Sequence, residues 1–274
     1  MKLTGIKTKL KALDGRWFLG GSHFFLLIIA IAFYKLQRSP FQIFSAYACA
    51  IIVEIFFFKY TAKNKTRTLF DCIFSACTEA AGLLILVRSP YAWFYIPMSF
   101  LAVSSKYIFR RNETQHLFNP TDFAIVTMVA LLPKRYFELR GDEFNISLYP
   151  MLHVTIFGLF AIYLGKTWRV ALSYLITITA VALCLSRITH ESPIYLLGSE
   201  LGATGLIFMF LMITDPKTCP TLPRSQILFG AAIGCLLYLL KFNEYFYPHY
   251  FALFVVIVGR GFYLAATEER RVLS

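Results

Sequence analysis

The stretch QIFSAYACAIIVEIFFF, residues 42–58, holds a single charge, Glu54, among seventeen residues. A hydrocarbon slab about 30 Å thick calls for roughly 20 predominantly apolar residues in a helix. This stretch therefore reads as a membrane span, and nine more follow the same pattern. The ten spans lie near 17–34, 42–58, 70–87, 91–108, 119–132, 149–165, 168–186, 195–213, 225–241 and 247–265. The links between them are mostly 3–12 residues, too short for a soluble domain.

Composition agrees. The 274 residues are 58% apolar and 15% charged, with a mean hydropathy of +0.62. Soluble domains carry about 45–50% apolar and about 25% charged residues. The 28 Phe and 16 Tyr suit lipid-facing and headgroup-level surfaces. The expected fold class is an all-α polytopic membrane protein.

The net charge of +12 reports topology rather than a nucleic-acid partner. With the N-terminus inside, 19 of the 27 Lys and Arg fall on inner segments, which predicts an inner (plasma) membrane protein with both termini cytoplasmic. No basic stripe sits on a soluble module, so nucleic-acid binding is excluded. Residues 1–16, with Lys2, Lys7, Lys9, Lys11 and Arg16, read as a basic amphipathic segment on the inner face rather than a cleavable signal peptide. The remaining organisation is a first five-span unit over 17–132, an external loop over 133–148, a second five-span unit over 149–265 and a cytoplasmic tail over 266–274.

The two units share landmarks in the same order. The first carries Thr78-Glu79-Ala80-Ala81-Gly82, then Arg88-Ser89-Pro90, then Phe118-Asn119-Pro120-Thr121-Asp122-Phe123-Ala124. The second carries Ser199-Glu200-Leu201-Gly202-Ala203, then Thr214-Asp215-Pro216, then Phe246-Tyr247-Pro248-His249-Tyr250-Phe251-Ala252. Five spans is an odd number, so the second unit sits upside down relative to the first, the inverted-repeat plan of many transporters. Gly and Pro at matching places predict broken or half-length helices whose free backbone groups and dipole ends face a mid-membrane ligand.

Glu79 and Glu200 occupy equivalent positions. A carboxylate near the bilayer centre is costly and marks an ion or proton pathway or a partner. Asn119 and Pro120 fit a helix start, whose N–H groups suit an anionic or carbonyl ligand. Lys106 closes the fourth span, either snorkelling to the interface or touching a phosphate, quinone carbonyl or flavin ring. Glu54 is expected to snorkel with Lys59, one turn on. The six cysteines form no CxxC pair and read as packing residues, and no metal site is expected. The five histidines form no HExxH, and no Walker loop, GxGxxG or Ser/His/Asp order is present, so hydrolase and nucleotidase chemistry has no support.

Together these segments resemble the D subunit of the Rnf complex and the B subunit of the sodium-pumping NADH:quinone oxidoreductase, the NqrB/RnfD family. The resemblance rests on Ser75-Ala76, Gly82-Leu83-Leu84, Pro90, Lys106 and Phe118-Asn119-Pro120. In the second half it rests on Met212-Ile213-Thr214-Asp215-Pro216 and Phe229-Gly230-Ala231-Ala232-Ile233-Gly234. It covers roughly residues 65–260. Ser105-Lys106-Tyr107 also matches the smaller stand-alone UnbU-like members found with enediyne-type biosynthetic clusters. The resemblance implies electron transport coupled to ion translocation, other membrane or redox subunits as partners, and a non-covalent flavin (FMN or riboflavin) or quinone. The ligand would lie among Lys106, Phe118, Asn119, Pro120, Asp122, Thr214 and Asp215, with Glu79 and Glu200 as relays. The large members attach FMN covalently at an Asp-Gly-x-Ser-Gly-Ala-Thr type motif. Residues 134–149 contain no such motif, and Gly202-Ala203-Thr204 lacks its Asp and Ser, so covalent FMN is not expected. The family's fold is similar to that of urea channels, which keeps open a small-solute channel or transporter. An accessory membrane protein of a biosynthetic or export assembly is the third reading.

Overall fold

The computed structural model describes residues 15–33, 36–61, 68–110, 115–139 and 148–273. Among these residues, eleven α-helices and one short β pair form. The first half holds α1 (Gly15–Phe33), α2 (Pro40–Thr61), α3 (Leu69–Leu86), α4 (Tyr95–Ile108) and α5 (Pro120–Leu131). The second holds α6 (Leu148–Leu164), α7 (Trp168–Thr189), α8 (Pro193–Leu201), α9 (Ala203–Ile207), α10 (Pro223–Phe242) and α11 (Pro248–Leu273). A π-helical segment, Phe208–Met212, continues α9. Strand β1 (Val87–Arg88) follows α3 and pairs antiparallel with β2 (Glu138–Leu139), Val87 opposite Leu139.

Five helices, α2, α3, α7, α10 and α11, are long and apolar enough to cross a membrane, and shorter apolar helices lie in α1, α5, α6 and α9 with its π continuation. Large side chains such as Phe44, Ile52, Ile176 and Leu228 stand exposed mid-helix. In water such a surface would be an aggregation liability; against lipid it is the expected face. The chain is an all-α polytopic membrane protein.

Local chemistry sets the helix boundaries. Thr68 and Asp71 form a reciprocal capping box at the start of α3. Asn119 accepts from the Asp122 N–H and Pro120 takes the first turn of α5. At its far end α7 stops on His190 in the left-handed conformation (φ 59). Between α8 and α9 the chain breaks at Gly202. A Cβ on Gly205 would lie 2.1 Å from the Glu200 carbonyl oxygen, so the break requires glycine there.

The most extensive helix packing joins α7 to α10, where Gly230 lies against Ser173 and the Val170 carbonyl and Gly234 lies against Thr177. Small residues let helix backbones approach in a membrane, where dispersion rather than water drives association. In the first half α2 and α4 pack together, with Ala46, Ala50 and Ala102 buried. Across the halves, α1 packs on α6 and α5 on α11.

Several expectations are refined. The third span of the first half is an unbroken helix followed by the β1 strand, whereas the third span of the second half, α8–α9, is broken. The fifth span is a half-length helix: twelve residues rise about 18 Å. The last helix runs to Leu273, past the expected end at 265. Residues 1–14 of the basic amphipathic start expected over 1–16, and residues 140–147 of the external loop, lie outside the described residues. The described part of that loop holds a 3-10 turn, Lys134–Tyr136, and β2.

Candidate functional site

A cleft with many polar side chains lies where three first-half helices meet the Thr214-Asp215-Pro216 turn of the second half. His23 of α1 and Ser75, Thr78, Glu79 and Gly82 of α3 form one wall. Asn119 and Thr121 at the start of α5 form another. Met212, Asp215 and Lys217 close it from the second half, with Asp71 and His116 at the same end. Ser75, Thr78, Glu79 and Gly82 recur three and four residues apart, so one face of α3 presents them together. Gly82 keeps that face thin: a Cβ there would press on the Thr121 hydroxyl at 3.3 Å.

Glu79 accepts a hydrogen bond from the Thr121 hydroxyl at 3.0 Å, which ties α3 to α5. Asn119 does two jobs. Its carbonyl oxygen caps α5 at 3.1 Å from the Asp122 nitrogen, and its amide reaches the Met212 carbonyl at 3.4 Å, so it bridges the halves. Asp215 folds its own turn. Its carboxylate accepts from the Lys217 N–H at 3.0 Å, and its carbonyl accepts from the Thr218 and Cys219 nitrogens. Its second carboxylate oxygen stands 4.0 Å from His116 Nε2.

Lys106 lies behind this cleft, not in it. Its ammonium is 2.8 Å from Glu54 and 3.4 Å from the Ser75 hydroxyl, with the lysine side chain only 6% exposed. The Tyr107 hydroxyl donates to the other Glu54 oxygen at 2.5 Å. The expected snorkelling of Lys106, and the Glu54–Lys59 pair, are therefore replaced by a buried ion pair between α2 and α4. Lys59 instead lies over the Tyr60 ring, 5.4 Å from its centroid. Helical crossing, which hydropathy does not encode, brings Lys106 closer to Glu54 than Lys59 is.

Glu200 sits in a different environment. Its carboxylate is fully buried and meets Lys241 Nζ at 2.7 Å, His249 Nε2 at 2.7 Å and the Tyr174 hydroxyl at 3.2 Å. Glu79 and Glu200 therefore do not share one site.

The other expected site residues have these contacts. Phe118 stacks on Phe254 and meets Phe109 edge-on, holding α5 against α11. Pro120 starts α5. Thr214 back-bonds to the Phe210 carbonyl at 2.7 Å. Asp122 is fully buried and, among the described residues, neither of its carboxylate oxygens has a hydrogen-bond partner. Thr121, His23, His116 and Lys217 were not among the site residues expected from the sequence. Thr121 had a legible signal, a hydroxyl in the first turn beside Asn-Pro, whereas nothing local links Lys217 to Glu79.

The space open to water in this cleft is about 80 Å³. Ligand pockets run from about 300 Å³ upward. The open space of this cleft is below that range.

Residues 150–258 match the NQR2, RnfD, RnfE family. The curated relatives found are D subunits of ion-translocating oxidoreductase complexes. That of Shewanella amazonensis is 49% identical over 53 residues, which is 19% of this chain and 14% of that protein. That of Shewanella denitrificans is 34% identical over 77 residues, 27% of this chain and 21% of that protein. That of Haemophilus influenzae (strain PittEE) is 33% identical over 79 residues, 28% of this chain and 21% of that protein. The matched stretches span about a fifth or less of these relatives. The resemblance read from the sequence is thereby borne out, and with the apolar helices it points to a multi-pass protein of the inner membrane.

Proposed function

We propose that this chain is a membrane subunit of an ion-translocating redox assembly, of the kind its relatives' names describe, and that the cleft at Glu79 carries the ion or proton. The observation that carries this reading is a mid-helix carboxylate at a polar cleft between the two halves. Such a group is costly in a membrane unless it serves a pathway. Packing of α1 on α6 and of α5 on α11 supports an inverted repeat, because a two-fold axis pairs equivalent elements across it. The α2–α4 and α7–α10 contacts, second span against fourth in each half, support it further. The charge distribution supports cytoplasmic termini.

A flavin or quinone belongs to this reading as the electron carrier of the assembly, held outside the Glu79 cleft or by a neighbouring protein of the assembly. Bound there, it supplies the electron chemistry, while this chain places the ion path.

The test uses inverted membrane vesicles from cells producing the chain with its natural partners. Redox-driven cation or proton uptake should fall by an order of magnitude or more in Glu79→Gln. The purified protein is also scanned for flavin absorbance and extracted for quinone. Unchanged uptake in Glu79→Gln sinks the reading. A colourless, quinone-free protein that alone admits small solutes into liposomes would favour the channel reading instead.

A further inference from the structure

The two halves place a lysine in the last turn of their fourth span, Lys106 in α4 and Lys241 in α10. Each lysine pairs with a buried carboxylate that also accepts from a tyrosine hydroxyl. In the second half that carboxylate is Glu200, with Tyr174. In the first half it is Glu54 on α2, with Tyr107, and not Glu79, the counterpart of Glu200. The reason is compositional. Helix α7, the counterpart of α2, contains no acidic residue, so Lys241 has Glu200 as its anion. Helix α2 contains Glu54.

We propose that Glu54 acts as a decoy anion that holds Lys106 off Glu79, leaving Glu79 as the carboxylate open to an exchangeable small cation. The geometry is close to a switch. Lys106 Nζ is 3.4 Å from the Ser75 hydroxyl, and Ser75 lies one helical turn from Glu79 on the same cleft-lining face. Positions four apart on a helix are about 6 Å apart. A lysine stem covers that distance by changing rotamer alone, so without Glu54 the ammonium moves onto Glu79 and takes the place of the cation. The second half shows that end state: Glu200 carries its own ammonium, 2.7 Å away, and His249 besides. The proposal deepens the reading of Glu79 as the ion site and rests on it. Glu54 is a positioning residue, acting through Lys106. The other charged or titratable groups facing the cleft are His23, Asp71, His116, Asp215 and Lys217.

The experiment compares wild type, Glu54→Gln, Lys106→Met and the double variant in lipid nanodiscs, each checked for folding by its melting curve. Sodium binding is read by calorimetry. Glu79 protonation is read as the infrared carboxyl signal lost in Glu79→Gln, followed across pH. The expected result is that Glu54→Gln weakens sodium binding on the order of tenfold or more and holds Glu79 ionised where the wild type protonates. The double variant, with no ammonium to move, should restore both. If wild type binds no sodium, a proton is the exchangeable cation and the infrared titration alone decides. A folded Glu54→Gln whose sodium binding and Glu79 titration equal the wild type overturns the proposal, as does a folded double variant that restores neither. If this pattern holds while Glu79→Gln leaves redox-driven uptake intact, the positioning role stands and the ion-path reading fails.

Discussion

Lys106 and Glu54 stand 2.8 Å apart, both buried, on helices α4 and α2. Two charges removed from water cost several kcal/mol each and must compensate one another. The pair therefore settles which way Lys106 faces.

Removing one partner of this pair should be unequal in its effect. Lys106→Met leaves Glu54 buried with only the Tyr107 hydroxyl and is expected to cost about 3 kcal/mol. Glu54→Gln should cost less, because the ammonium has Glu79 within reach. Reversible unfolding in mixed micelles measures both, and equal losses would contradict the alternative anion.

Thr121 is expected to matter for transport more than for folding. Thr121→Val removes the hydroxyl 3.0 Å from Glu79 while keeping the side chain's shape. Ion-coupled activity should drop several-fold with little change in melting temperature, and Thr121→Ser should recover most of it. A parallel loss of stability and activity in Thr121→Val would argue for a packing role only.

The Gly202–Gly205 break offers a paired test. Gly205→Ala sets a methyl 2.1 Å from the Glu200 carbonyl oxygen and should lower stability by several kcal/mol or prevent folding. Gly198→Ala, in α8 with nothing within 4 Å, should be neutral or stabilise by up to about 1 kcal/mol. Comparable effects of the two in an unfolding titration would show that the tight turn is not needed.

Asn119 combines a helix cap with a bridge between halves. Asn119→Ala should cost about 1 kcal/mol or more. Asn119→Ser keeps the cap and loses the reach to Met212, so the remaining deficit in an unfolding titration measures the bridge. If serine restores full stability, the 3.4 Å contact contributes nothing.

Much of this was legible along the chain. Apolar runs of span length announced the polytopic class, because crossing a hydrocarbon slab is a local demand on about 20 consecutive residues. Asn119-Pro120 announced the start of α5, because capping is settled within one turn. Glycines near Glu200 announced the break in α8–α9, because backbone freedom belongs to the residue itself. Gly82, at the matching place in the first half, proved instead to thin the wall beside Thr121.

The partners of the charges were not legible. Sequence proximity favoured Lys59 for Glu54, and equivalent positions in the two units favoured like roles for Glu79 and Glu200. The folded chain gives Glu54 to Lys106, gives Glu200 to Lys241 and His249, and leaves Glu79 beside Thr121 at the meeting of the halves. By itself the sequence determined which segments enter the membrane and where helices begin and break, since these follow from neighbours along the chain. Only the tertiary structure decided which charge meets which, because that depends on helices crossing in space and on the strong penalty, in a low-dielectric interior, for any ion left without its counterpart.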